Sequence, residues 1–222
     1  MSKQYRLVVF DWEGTLSDTL GQVINCVVSE AKRLNYGEVD EKLARQYAEL
    51  GLGNVIRKLF PQLNSMEQEY LLKAVQHSLI NRPSEIYLTP GAREFVESLY
   101  QNDIYLGIAS NKGQNSLNRA LQNSGLASFF KVVRCAGQLP PKPCPQMLEE
   151  ILFEFNVDVN EALMIGDSTC DIEMAKAINM DAIGINFYHQ QHSNLLLAKG
   201  AVAVFSSYSQ LASYLNIKLI ND

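Results

Sequence analysis

Residues 7–16 read LVVFDWEGTL, four apolar residues followed by a burst of polar and small ones. An apolar run without period-two alternation suits a strand buried on both faces of a parallel sheet. Asp11, Glu13, Gly14 and Thr15 then stand at that strand's carboxyl end, where open α/β sheets bind their ligands. Counting from Tyr5, the run covers residues 5–10, and similar short runs recur at 104–109, 131–134, 163–165, 182–185 and 201–204. Helical patterns fall between them, over 92–100, 115–123, 145–155 and 172–178. Strands alternating with helices predict an α/β fold built on a doubly wound parallel sheet.

The stretch between Leu20 and Arg82 breaks this alternation. Its patterns are helical, over 23–34, 41–50 and 68–80, and none of it reads as a strand. Such a block directly after the first strand reads as an inserted helical cap. The expected division is residues 1–16 with 86–222 as the α/β core and 17–85 as the cap, with hinges at 17–20 and 83–90. Asp18 is placed to cap the first helix of the insertion. Gly51, Gly53 and Asn54 form a glycine-rich break that serves either as an interhelical turn or as a loop touching substrate.

Composition narrows the function. With 47% apolar and 19% charged residues among 222, the chain can bury a sizeable core. Lys and Arg number 19 against 24 Asp and Glu, a net charge of −5, which does not fit a nucleic-acid-binding surface. An anionic substrate would gain no long-range attraction, so its site must supply a local cation. The opening MSKQYRLVVF lacks a signal-peptide shape, and its apolar run is too short to cross a bilayer. Cys26, Cys135, Cys144 and Cys170 show no close pairing, which argues against disulfides or zinc and for a cytoplasmic protein. His189 and His192 lack a third metal ligand nearby and read as ordinary polar residues.

The residues that follow the other runs complete a chemistry. Ser110-Asn111-Lys112 follow the second, Lys142 lies among Pro141, Pro143 and Pro145, and Gly166-Asp167-Ser168 follow the run at 163–165. A carboxylate such as Asp11 can attack phosphorus in line and split hydrolysis into two easier steps. Two anions need a bridging cation, and Mg2+ prefers oxygen ligands of the kind Asp11 and Asp167 offer. Asp171 lies one helical turn beyond Asp167 and can anchor the metal or its waters if Ser168 opens a helix. It can equally complement that helix's N-terminus. Ser110, the Asn111 amide and Lys142 supply donors for the remaining phosphate oxygens. Gly14 lets the backbone turn sharply over the phosphate.

In order along the chain, FDWEGTLSDT (10–19), Ser110-Asn111-Lys112, Lys142 in PPKPCP (140–145) and GDSTCD (166–171) resemble the four motifs of the haloacid dehalogenase superfamily. The insertion resembles the phosphoglycolate-phosphatase-like branch, which carries a small helical cap. The resemblance implies a magnesium-dependent phosphatase for a small phosphorylated metabolite. Asp11 would be the nucleophile, Asp11, Asp167 and the main-chain carbonyl of Glu13 metal ligands, and Ser110, Asn111 and Lys142 phosphate contacts. The pattern departs at Glu13, where the family's phosphatases have aspartate as general acid/base. The extra methylene moves the proton donor by roughly an ångström, a misplacement that can cost about a hundredfold in rate. Glu13 therefore marks either an adjusted site or an attenuated enzyme. A phosphoryl-transfer mutase of the same fold and a weakly active phosphate-binding regulatory protein remain the alternatives. Phosphoglycolate, sugar phosphates and nucleoside monophosphates are all compatible with a small cap.

Overall fold

A computed structural model describes residues 4–47, 50–81, 86–187 and 190–220. The chain forms two compact units, Met1–Ser17 with Leu88–Asp222, and Asp18–Tyr87.

The first unit is built on six parallel strands: β1 (Leu7–Phe10), β2 (Tyr105–Ser110), β3 (Val132–Cys135), β4 (Ala162–Gly166), β5 (Asp181–Ile185) and β6 (Ala203–Phe205). Each falls on an apolar run read from the sequence, shifted by no more than two residues at either end. Their order is β3-β2-β1-β4-β5-β6, the doubly wound arrangement. The chain moves outward from β1 through β2 to β3, then returns to place β4 on the other side of β1. The crevice where ligands bind in such sheets therefore opens at the carboxyl ends of β1 and β4. Phe10 pairs with Ile165 of β4 and Ile108 of β2, one residue before β4 ends and two before β2 ends, so the loops after the three strands emerge at the same edge.

Side chains of β1 alternate between two apolar layers. Leu7 and Val9 join Met147, Leu148 and Ile151 of a helix at Gln146–Phe155, Ile172 and Met174 of one at Thr169–Ala177, and Leu196 of one at Gln190–Ala198. Phe10 instead meets Phe95 and Phe130 edge-on, with ring centroids 6.1 Å apart in each case. Phe95, on the helix Ala92–Gln101, stacks at 4.9 Å on Tyr208 of the helix Tyr208–Leu215. Full burial of such side chains stabilises by about 1.5–3 kcal/mol each. The helices at Gln190–Ala198 and Tyr208–Leu215 were not among the expected patterns. The first has a polar opening turn and the second is short, so neither displays a long apolar stripe.

The second unit contains helices Thr19–Arg33, Glu41–Gln46, Leu52–Leu59 and Ser65–Asn81. Its core joins Cys26, Val27, Ala31, Ile56, Phe60, Leu71 and Val75. Asp18 caps its first helix by accepting from the Gly21 amide at 2.8 Å, and both its oxygens also accept from Arg45. The second helix stops at Gln46, short of the expected Leu50. The helix at Leu52–Leu59 corrects the sequence reading of a loop at 51–54. Gly51, at φ +79°, turns the chain into it, and Gly53 and Asn54 lie within its first turn.

Candidate active site

Asp11 leaves β1 with its amide bonded to the Ile165 carbonyl at 2.9 Å, which ties it to β4. Its carboxylate is buried, and Lys142 Nζ donates to Asp11 Oδ1 at 2.5 Å and to Asp171 Oδ1 at 2.6 Å. Asp171 is fully buried, and its Oδ2 accepts from the Ser168 amide at 3.0 Å and the Ser168 hydroxyl at 2.7 Å. Ser168 is the N-cap of the helix Thr169–Ala177, and the two residues form a reciprocal capping box. Asp171 therefore closes the helix start, the second of its two sequence readings, and its other oxygen turns to Lys142.

Asp167 follows β4 and accepts from Thr15 Oγ1 at 3.3 Å. Gly14, at φ +78°, leaves the room this carboxylate occupies, since a Cβ there would come within 2.0 Å of Asp167 Oδ2. Oxygens of Asp11, Asp167 and Asp171 lie within 4.8 Å of one another. An oxygen-only donor set of this kind fits a hard divalent cation.

The electrostatics agree with that fit. Burial raises Asp11 to about 6, with Asp171 adding to the shift and Lys142 opposing it. Burial also raises Asp167 to about 7, and the charges of Asp11 and Asp171 reinforce it. Desolvation works against the Lys142 charge, but Asp11 and Asp171 outweigh it and raise the lysine's pKa. Without a cation, the folded protein thus holds protons on Asp11 and Asp167 at a pH where the unfolded chain has lost them. For a carboxylate raised in this way, stability falls as pH rises from about 4, the unfolded value, through the folded value. We expect melting temperatures in EDTA to show this for Asp167: the wild type should lose stability relative to Asp167→Asn between pH 4.5 and 8. A gap that stays constant over that range would contradict the assignment.

Of the expected phosphate contacts, Ser110 is buried at the end of β2, where its hydroxyl accepts from the Lys112 amide at 3.2 Å. Asn111 does something the sequence did not suggest. Its Oδ1 accepts from the Lys142 amide at 2.8 Å, which joins the second loop to the one carrying the lysine. Glu13 is not one of the three clustered carboxylates, and its Oε1 accepts from Lys112 Nζ at 2.7 Å. Gly51, Gly53 and Asn54 belong to the helical unit. There Asn54 Nδ2 donates to the Leu50 carbonyl at 2.8 Å, and Arg57 donates to Asn54 Oδ1 at 2.5 Å, contacts that befit a helix start.

Sequence reading also missed a supporting layer. The Thr15 carbonyl accepts from Thr89 Oγ1 at 2.5 Å and from the Tyr208 hydroxyl at 3.0 Å, which pins the loop that follows Asp11. His192 Nε2 lies 2.8 Å from the Asp167 carbonyl. A carbonyl can only accept, so that nitrogen carries the proton. His192 thus braces the backbone of Asp167, whereas His189 lies outside the described residues.

Comparison with known proteins agrees with this geometry. A family model described as haloacid dehalogenase-like hydrolase matches residues 8–185. Phosphoglycolate phosphatase of Synechococcus elongatus is 25% identical over 191 residues, which cover 86% of this chain and 88% of that protein. Pyrophosphatase PpaX of Listeria monocytogenes is 28% identical over 180 residues, 79% of this chain and 81% of its own. A hydrolase from Streptococcus pneumoniae TIGR4 shares the fold with a TM-score of 0.73 at 20% identity, over 96% of this chain and 100% of that one. Matched by its family model across every residue of the cluster around Asp11, this chain belongs to the haloacid dehalogenase-like hydrolase family, among its phosphatases.

Proposed function

We propose that this protein is a magnesium-dependent phosphomonoesterase that hydrolyses a small phosphorylated metabolite through an aspartyl-phosphate on Asp11. The observation that carries this reading is the buried Asp11–Lys142–Asp171 chain beside Asp167 at the sheet's crevice. Asp11, Asp167 and the Glu13 main-chain carbonyl would hold Mg2+. Both Asp171 oxygens are already engaged, so it would act on Lys142 and on the metal's waters. When bound, the cation supplies charge neutralisation for the reacting phosphoryl group.

Lys142 clamps Asp11 Oδ1, which orients the carboxylate for in-line attack on phosphorus. As the Asp11–phosphorus bond forms, the bond to the leaving oxygen breaks, and that oxygen takes a proton from Glu13. Glu13 then removes a proton from water, which attacks phosphorus, releases phosphate and restores Asp11. Ser110, the Asn111 amide and Lys142 hold the non-bridging oxygens. The names of the relatives favour small substrates such as phosphoglycolate, with sugar phosphates and nucleoside monophosphates in the same class. Four free cysteines, and the absence among described residues of a helix able to cross a membrane, support a cytoplasmic location.

Phosphate release from p-nitrophenyl phosphate tests the reading. We expect turnover with Mg2+, its loss in EDTA and its return on adding Mg2+ back. Release undiminished in EDTA would overturn the metal-dependent mechanism.

A further inference from the structure

Glu13 occupies a position where the family's phosphatases resembled by this sequence have aspartate. Glutamate has one more rotatable bond, so its carboxylate can occupy more places. The structure shows what restricts it. Lys112 Nζ reaches across from a residue 99 positions away and bonds Glu13 Oε1 at 2.7 Å. The lysine is the more enclosed partner, with a side chain 24% exposed against 47% for the glutamate. Its backbone is anchored in turn, since the Lys112 amide donates to the Ser110 hydroxyl. Partly exposed ion pairs contribute little, so stability gives little reason for this one. Orientation gives a better reason.

We propose that Lys112 is the positioning residue for Glu13, and that the Glu13–Lys112 pair lets glutamate serve where related phosphatases use aspartate. The lysine acts by holding the carboxylate within reach of the leaving oxygen and then of the attacking water. Ser110 lies between the two tasks, with its hydroxyl on Lys112 and its place at the expected phosphate contact. Phosphate binding and acid/base geometry are thereby joined in one loop. The inference rests on the phosphatase reading above, in which Glu13 transfers protons.

A double-mutant cycle of Lys112→Met and Glu13→Asp, assayed with Mg2+ on p-nitrophenyl phosphate and phenyl phosphate, tests the pairing. In the natural background, Lys112→Met should lower kcat for phenyl phosphate about ten- to a hundredfold with little change in KM. The loss should be smaller for p-nitrophenyl phosphate, whose better leaving group needs less help from an acid. With aspartate at position 13, whose shorter arm leaves the lysine's reach, the same substitution should change kcat less than about threefold. Equal losses in both backgrounds, no loss, or a raised KM at constant kcat would overturn the proposal; the last would make Lys112 a substrate contact. Should Glu13→Asp be inactive, Lys112→Arg decides: recovery over Lys112→Met supports the pairing, and no recovery sinks it. Wild-type turnover unaffected by EDTA would instead remove the parent reading, and the pairing with it.

Discussion

Asp11→Asn is expected to lower phosphate release by about 10^4-fold or more, since loss of a nucleophile can cost that much or more. The amide keeps the shape of the carboxylate and the reach to Lys142, but it cannot attack phosphorus. The same change should leave the metal-free protein as stable as the wild type, or more so. Near neutral pH the ionised Asp11 is buried beside Asp171, a combination that raises its pKa to about 6 despite Lys142. Raised carboxylates detract from stability above their folded pKa, and asparagine removes that charge. Turnover and melting temperature in EDTA at pH 7.5 check both halves. Retained activity would exclude Asp11 as nucleophile, and a large fall in melting temperature would mean that its ion pair with Lys142 outweighs desolvation. Natural active sites often give up stability for function in this way.

Lys142→Met should be damaging on both counts. It removes the cation that bonds Asp11 and Asp171 at once and leaves their buried charges facing each other. Breaking a buried ion pair from one side typically costs about 3–5 kcal/mol. We expect the metal-free variant to melt well below the wild type at pH 7.5. The deficit should narrow toward pH 5, because Asp11, whose pKa burial raises to about 6, then takes up a proton in the folded state. Magnesium should narrow it as well, by supplying a replacement cation. Phosphate release should fall to near background, because the variant loses both the clamp on Asp11 and a donor to the phosphate. Melting curves in EDTA and in Mg2+ separate the two losses. A variant as stable as wild type in EDTA at pH 7.5 would show that the three carboxylates do not depend on this lysine.

Other contacts explain why the same chemistry tolerates few changes of backbone. Gly14 faces Asp167 so closely that even a methyl group would displace the carboxylate. Gly166 is as restricted, since a Cβ there would meet Asp171 Cγ at 2.4 Å. Glycine at these positions follows from the packing of two carboxylates against the loops that carry them.

The sequence by itself determined the sheet and where its polar loops emerge. Buried parallel strands must be continuously apolar, and ligands bind where such runs end, so Asp11, Ser110 and Asp167 could be singled out as candidates from their neighbours in the chain. GDSTCD likewise offered a helix start at Ser168 with Asp171 to complement it, since such a start is written within four residues, and the structure joins the two in a capping box. Tertiary structure alone decided which groups face one another. Lys112 finds Glu13, Asn111 holds the Lys142 amide, Thr89 and Tyr208 meet on the Thr15 carbonyl, and His192 braces Asp167. The partners in these contacts stand between 25 and 193 residues apart, beyond any helical or strand period. The helix at Leu52–Leu59 escaped for a different reason: two glycines at its start imitate a loop, and it is the packing of Ile56 into the helical unit's core that holds it as helix. Local pattern records what a segment must bury, whereas the pairing of polar groups across loops exists only once the sheet has brought those loops together.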